Sequence, residues 1–281
     1  MVATRRVHGR KHAAGKVRGW GLAGACGALF LLTGCPNPNL YTTPRTLEPG
    51  KLQWNLAAEG IGASYTQTVT TGVAANGTTT TATQTQSFGS PMVPSFGIRY
   101  GIIDGLELGA HLQNMDSLEA DLKVRLLKGT LDLAVDPGVQ GFYYSFSVNN
   151  ETTSLAVTYL HLPLLVGVNL NRSISLVASP GFAYAAASAS ASDAGGVSGA
   201  AGTSGPIGRL GVGIDFRIGQ HFALHPEVTF LKAFSDNQAL LYIFGLGFNF
   251  GAMPDYSDLD GGGGGGNSPP PPASPPPAPP Q

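Results

Sequence analysis

His225, Pro226 and Glu227 place a base and an acid two residues apart. In an extended strand that spacing puts both side chains on one face. An imidazole beside a carboxylate is the start of a hydrolytic site, but its third member is missing. No Gly-x-Ser-x-Gly turn is present to present a nucleophile. His111, His161 and His225 are three candidate nitrogen ligands far apart in the chain, and a metal site from them would need three separate segments to converge. Both cysteines, Cys26 and Cys35, fall in the first 35 residues, so the body has no disulfide or thiolate site. The expectation is therefore no catalytic residue, no metal and no cofactor. A larger set of ionisable residues shares one alternation phase: Arg99, Glu107, His111, Glu119, Asp121, Lys123, Arg125, Asp132, Arg209, Asp215, Arg217, His225 and Glu227, joined by Glu59, Asp136 and His161. Their shared phase predicts a polar network on one side of a sheet.

The elements that position them are strands. No window of the body carries a convincing apolar period of 3.6, and period 2 recurs throughout. Leu118, Ala120, Leu122, Val124 and Leu126 alternate with Glu119, Asp121, Lys123 and Arg125. Leu210, Val212, Ile214, Phe216 and Ile218 alternate with Arg209, Gly211, Gly213, Asp215 and Arg217. Ten strands are predicted, at 51–69, 91–103, 106–114, 117–127, 130–147, 153–170, 173–187, 206–218, 221–233 and 238–250. Every second connection is tight: Asp104-Gly105, Lys128-Gly129, Asn171-Arg172 and Gly219-Gln220. The other connections include two long ones, 70–90 and 188–205. Long loops at one end and short turns at the other describe an antiparallel up-and-down transmembrane β-barrel.

Charge and polarity sharpen this reading. Charged residues make up 12% of the chain, against 40 glycines. Six of the 16 basic residues crowd the first 18 positions; without them ten basic residues face 17 acidic ones, a net charge near −7. That excludes a nucleic-acid partner, which rewards clustered Lys and Arg. The apolar phase holds almost no ionisable group, only Lys232 near one strand end. A mid-bilayer Arg or Lys costs about 2–4 kcal/mol, so a clean apolar face is what lipid contact would enforce. Trp54, Tyr100, Phe222, Phe230 and Phe250 fit interfacial girdles. About ten strands enclose a narrow interior, and buried charges must be paired. A salt-bridged plug of side chains is expected inside, with a narrow polar conduit or small-ligand pocket as the alternative.

Two stretches resemble known families. Residues 1–18 are basic, 19–32 are apolar, and Leu32-Thr33-Gly34-Cys35 follows. This resembles the lipobox of bacterial lipoproteins. The resemblance implies palmitate-type acylation of Cys35, a lipoprotein-sorting machinery as partner, and an anchor in the periplasmic leaflet. Pro36 rather than Asp follows the cysteine, so nothing there implies inner-membrane retention. Arg5-Arg6 lacks the hydrophobic pair of a twin-arginine signal. Tyr242, Phe244, Phe248 and Phe250 resemble the C-terminal strand of bacterial outer-membrane barrels, and Arg99 through Gly109 resembles a hairpin of small barrels in that family. This implies outer-membrane lipid and a barrel-assembly machinery as partners. Family members normally end on the aromatic, whereas about thirty residues follow here.

Apolar residues change phase within 130–147, from Leu131, Leu133, Val135 and Val139 to Phe142, Tyr144 and Phe146. They change again within 153–170, after Leu155, Val157 and Tyr159. Paired β-bulges in one hairpin are the expected cause, with the alternative that the change marks where the hairpin rises out of the membrane. The connections 70–90 and 188–205 are low-complexity and polar and are expected as mobile loops. Gly261 through Gly266 and the proline run to Pro280 are expected as a disordered tail. The organisation is then a lipoprotein signal peptide (1–34), an N-terminal linker (35–50), an outer-membrane barrel (51–251) and a disordered tail (252–281). The function expected is that of a monomeric, lipid-anchored outer-membrane barrel with a structural or surface-interaction role and no chemistry of its own. The alternatives are a narrow solute channel, a soluble periplasmic lipoprotein with a sandwich or lipocalin-like body, and a lipid-modifying enzyme.

Overall fold

The computed structural model describes residues 37–73, 79–91, 94–113, 117–148, 151–192, 198–234 and 238–261. Twelve strand segments follow one another: β1 (Leu52–Val73), β2 (Thr79–Pro91), β3 (Ser95–Ile103), β4 (Leu106–Gln113), β5 (Ser117–Leu127), β6 (Leu131–Val135), β7 (Gly138–Val148), β8 (Glu151–Asn169), β9 (Ile174–Ser192), β10 (Ser198–Arg217), β11 (Phe222–Ala233) and β12 (Gln238–Gly251). Two pairs of segments share a place in the wall. The lower part of β1 pairs with β3 and its upper part with β2. β6 and β7 both lie between β5 and β8, separated at Asp136-Pro137, where proline has no N–H to give. The result is ten antiparallel wall positions, closed by pairing of β12 with β1 from Gln53↔Gly251 to Thr66↔Gln238. Closure leaves the barrel wall without an edge; β2, which extends the wall upward, pairs with β1 alone.

The alternation is as the residue pattern requires. Apolar side chains stand outside: Leu122 is 37% exposed, Phe244 52% and Leu118 65%. Ionic side chains stand inside. Near the turns Trp54, Phe250 and Phe222 lie in one cross-strand row, and Phe230 pairs with Tyr242 eight residues higher on the same two strands. Eight residues span about 26 Å of strand, which at a barrel tilt of about 40° rises about 20 Å, most of an apolar band about 25 Å tall.

Four expectations are corrected. First, the connections 70–90 and 188–205 are mostly wall. β1 continues to Val73 and pairs with β2, while β9 runs to Ser192 and pairs with β10 from Ser198. The low-complexity composition misled because a strand extending an existing ladder needs no apolar face of its own, and threonine suits the pleat. Only 74–78 and 193–197 of these stretches lie outside the described residues. Second, neither bulge exists. β7 and β8 pair without a register shift, and Phe142, Val157 and Tyr159 point inward. The apolar residues changed face because the upper lumen is itself apolar. Third, residues 37–47 are no linker: the barrel buries them. Fourth, the first ten residues of the predicted tail are ordered and end in a short 3₁₀ turn, Ser257–Gly261. The segment 1–34 expected as a signal peptide, Cys35 and the Gly/Pro run 262–281 lie outside the described residues.

Candidate functional site: a lumen plugged by its own chain

The structure faces all thirteen predicted network residues inward. Twelve are buried; Arg125 sits at the turn-side rim, bonded to Asp104 at 2.7 Å. They do not form one network. Arg99 bridges Glu107 at 2.9 Å, Asp121 at 3.0 Å and Asp136 at 3.3 Å, and Lys123 reaches Glu107 at 2.8 Å. Asp215 holds Arg217 and His225, the latter at 3.3 Å. The three histidines do not converge: His111 lies on Asp121, His161 on Glu119 and His225 on Asp215. Among the described residues no group of three His, Cys, Asp or Glu side chains is placed to hold a metal. Tyr159 stacks on His161 at the hairpin side.

Charge bookkeeping within the wall does not balance. Eight buried carboxylates (Glu59, Glu107, Glu119, Asp121, Asp132, Asp136, Asp215 and Glu227) face four buried wall cations, Arg99, Lys123, Arg209 and Arg217. Burying an unpaired carboxylate is costly, so donors must come from elsewhere. Residues 37–48 supply them. Glu227 accepts from the backbone N–H groups of Leu40 at 3.2 Å and Tyr41 at 2.7 Å. Glu59 accepts from the Tyr41 hydroxyl at 2.6 Å and from the Asn37 amide. Asp132 accepts from Arg45 Nε at 2.7 Å, and Glu107 from the Leu47 N–H at 2.8 Å. The exchange also runs the other way. Lys123 donates to Thr42 Oγ1 and the Thr43 carbonyl, Arg209 to the Pro38 carbonyl, and Asn249 to the Tyr41 carbonyl. This set of bonds holds Tyr41 at a positive φ of 47°, a conformation a bulky residue keeps only when its surroundings over-determine it.

The wall makes room for this segment. Gly101 lies against the carbonyls of Leu47 and Glu48, and Gly167 against the Pro44 ring. A Cβ at Gly247 would stand 2.7 Å from Tyr41 Cβ, closer than real side chains approach. A glycine inside a strand marks close approach by another backbone, and here that backbone is the chain's own. Beside the segment, the gap lined by Leu40, Leu165, Val177 and Gly211 is too narrow to admit water.

The turn end is sealed by the other terminus. Tyr256 is buried between two guanidinium groups, Arg45 at 4.1 Å and Arg217 at 3.5 Å from its ring centre. Its hydroxyl donates to Thr43 Oγ1 at 2.9 Å, and burial pushes its pKa up. Arg45 also donates to Asp258 at 2.9 Å and to the Asp255 carbonyl. The Asp255 carboxyl is held down to about 2, chiefly by the Ser257 N–H. The Arg45 guanidinium holds that of Asp258 below its usual range.

Sequence reasoning missed Asn37, Tyr41, Arg45 and Tyr256. Two signals could have found them: the acid excess of the inward phase, and the inward glycines at 101, 167, 245 and 247.

No family model and no curated protein sequence matches the chain. Among solved structures, the attachment invasion locus protein Ail of Yersinia pestis is similar at 13% identity, covering 72% of this chain and 99% of that one, with a TM-score of 0.33. Neisserial surface protein A is similar at 11%, covering 70% and 96%, with a TM-score of 0.30. The translocator domain of the autotransporter NalP from Neisseria meningitidis is similar at 14%, covering 82% and 94%, with a TM-score of 0.35. The closed antiparallel barrel fold is shown by the chain's own strand pairing, and these structural neighbours are bacterial outer-membrane barrels.

Proposed function

We propose that this chain is an outer-membrane lipoprotein barrel that acts by its presence and its surface rather than by transport or catalysis. The observation that carries the reading is the occupied lower lumen: residues 37–47 fill it and the tail caps the turn end. In this reading residues 1–34 are removed as a signal peptide and Cys35 is acylated. The outward apolar face meets lipid, and the extended hairpins β1–β2 and β9–β10 stand clear of the bilayer as contact surfaces. The chain inserts as a monomer, with lipid and the barrel-assembly and lipoprotein-sorting machineries as partners. His225 and Glu227 face each other at 3.7 Å. Glu227, however, is bonded to the plug backbone and to Thr229, a structural rather than a catalytic setting. Outward placement of Leu122 and Phe244 argues against a soluble body, which would turn them inward. Planar-bilayer recording tests the reading. The purified, folded protein should give no reproducible conductance steps, and steady unitary steps would favour the channel alternative.

A further inference from the structure

The plug has a direction, and the direction decides where the exported chain begins. At the turn end, the Leu47 N–H is held by Glu107, the second residue of β4. At the other end, the Asn37 carbonyl accepts from Gln113, the last residue of the same strand, at 3.3 Å. The segment therefore climbs the full height of β4, about 20 Å of strand, before the described chain stops at the hairpin side. Above Asn37 the inner wall changes character. Ile61, Phe142, Val157, Leu231 and Ile243 are buried and inward there, an apolar collar over an ionic lower lumen.

We infer that the plug enters the lumen from the hairpin mouth, Asn37 uppermost, so that a lipid on Cys35 is displayed on the cell-surface side instead of in the periplasmic leaflet. Only Pro36 stands between Cys35 and Asn37, and two residue steps reach about 7 Å. That is too short to return the cysteine past 20 Å of plugged lumen to the turn end. The inference rests on the outer-membrane reading above, with long hairpins outside. It reverses the leaflet that the lipobox resemblance implies. Acyl chains emerging there first meet the collar and then the outer leaflet, both apolar; the ionic lower lumen would reject them.

A thiol-accessibility experiment on whole cells tests this. In an acylated chain the Cys35 sulfur is blocked as a thioether and Cys26 leaves with the signal, so Pro36→Cys carries one free thiol. Ser257→Cys, in the exposed tail segment, marks the turn end. A membrane-impermeant maleimide should label Pro36→Cys on intact cells, label Ser257→Cys only after the outer membrane is permeabilised, and leave the unsubstituted chain unlabelled. A heat-modifiable gel band confirms folding of each variant. Labelling of the unsubstituted chain would remove the lipid but not the topology, since its Cys35 then reports the same side. A position 36 protected until permeabilisation, or unreactive in the folded barrel, or accompanied by a tail thiol labelled on intact cells, would overturn the inference.

Discussion

Arg45 joins the plug to both the wall and the tail, so its removal tests the architecture most directly. Its Nε bonds Asp132 at 2.7 Å with both side chains about 1% exposed. Its other nitrogens reach the Gly129 carbonyl at 3.0 Å and Asp258 at 2.9 Å. Arg45→Met keeps much of the length but removes the cation, leaving Asp132 with only the Gly129 N–H and Asn169. Removing one partner of a buried pair typically costs about 3–5 kcal/mol. The Asp258 contact adds little, because that carboxylate is 35% exposed and screened. For a barrel of this size about 2–4 °C is lost per kcal/mol, so the melting point should fall by about 6–20 °C. Heat-modifiability on gels and tryptophan fluorescence in detergent, at one scan rate, read the shift. Arg45→Met with Asp132→Asn should recover at least half of it, since the stranded charge is gone. A single variant melting within about 4 °C of the unsubstituted protein, a change worth about 1 kcal/mol, would refute the reasoning. So would a double variant whose loss is the sum of the two singles.

Three further outcomes follow from the same geometry. Gly247→Val should push Tyr41 off its seat and give conductance steps that the unsubstituted barrel lacks; a silent variant with unchanged melting would mean the segment is not held there. Leu122→Arg, on the outer face of β5, should cost about 2–4 kcal/mol in lipid vesicles, whereas Leu122→Phe should be tolerated; equal stability of both would argue that this face does not meet lipid. Asp255 and Asp258 have folded pKa values below their unfolded ones, so their contribution is present above about pH 4 and fades as pH falls toward 2. Protease cleavage after the barrel should therefore accelerate in acid with an acid-stable enzyme such as pepsin, relative to a peptide control. A flat profile between pH 5 and about 2.5 would show that the latch does not depend on these carboxylates.

The sequence by itself determined the wall. Alternation in β5 and β10, four two-residue turns and an apolar face with Lys232 as its one ionisable group specified ten strands and which face is greasy. These are local properties: each strand's residues name their own face, and a one-residue slip would turn every charge outward. It also determined that the ionic residues face inward, because phase is enough for that, but it misplaced the apolar residues of β7 and β8. What only the tertiary structure decided is what the inward residues meet. Nothing local in Asn37 through Glu48 says that it fills a cylinder, since the segment has no period of its own. Its conformation is dictated by partners 18 to 213 residues away, such as Glu59, Glu227 and Tyr256. The extended hairpins were hidden for the same reason: Thr-, Ser- and Ala-rich stretches become strands when an adjacent ladder supplies the hydrogen bonds. Phe142 and Val157 point inward because the space they fill exists only once the barrel has closed.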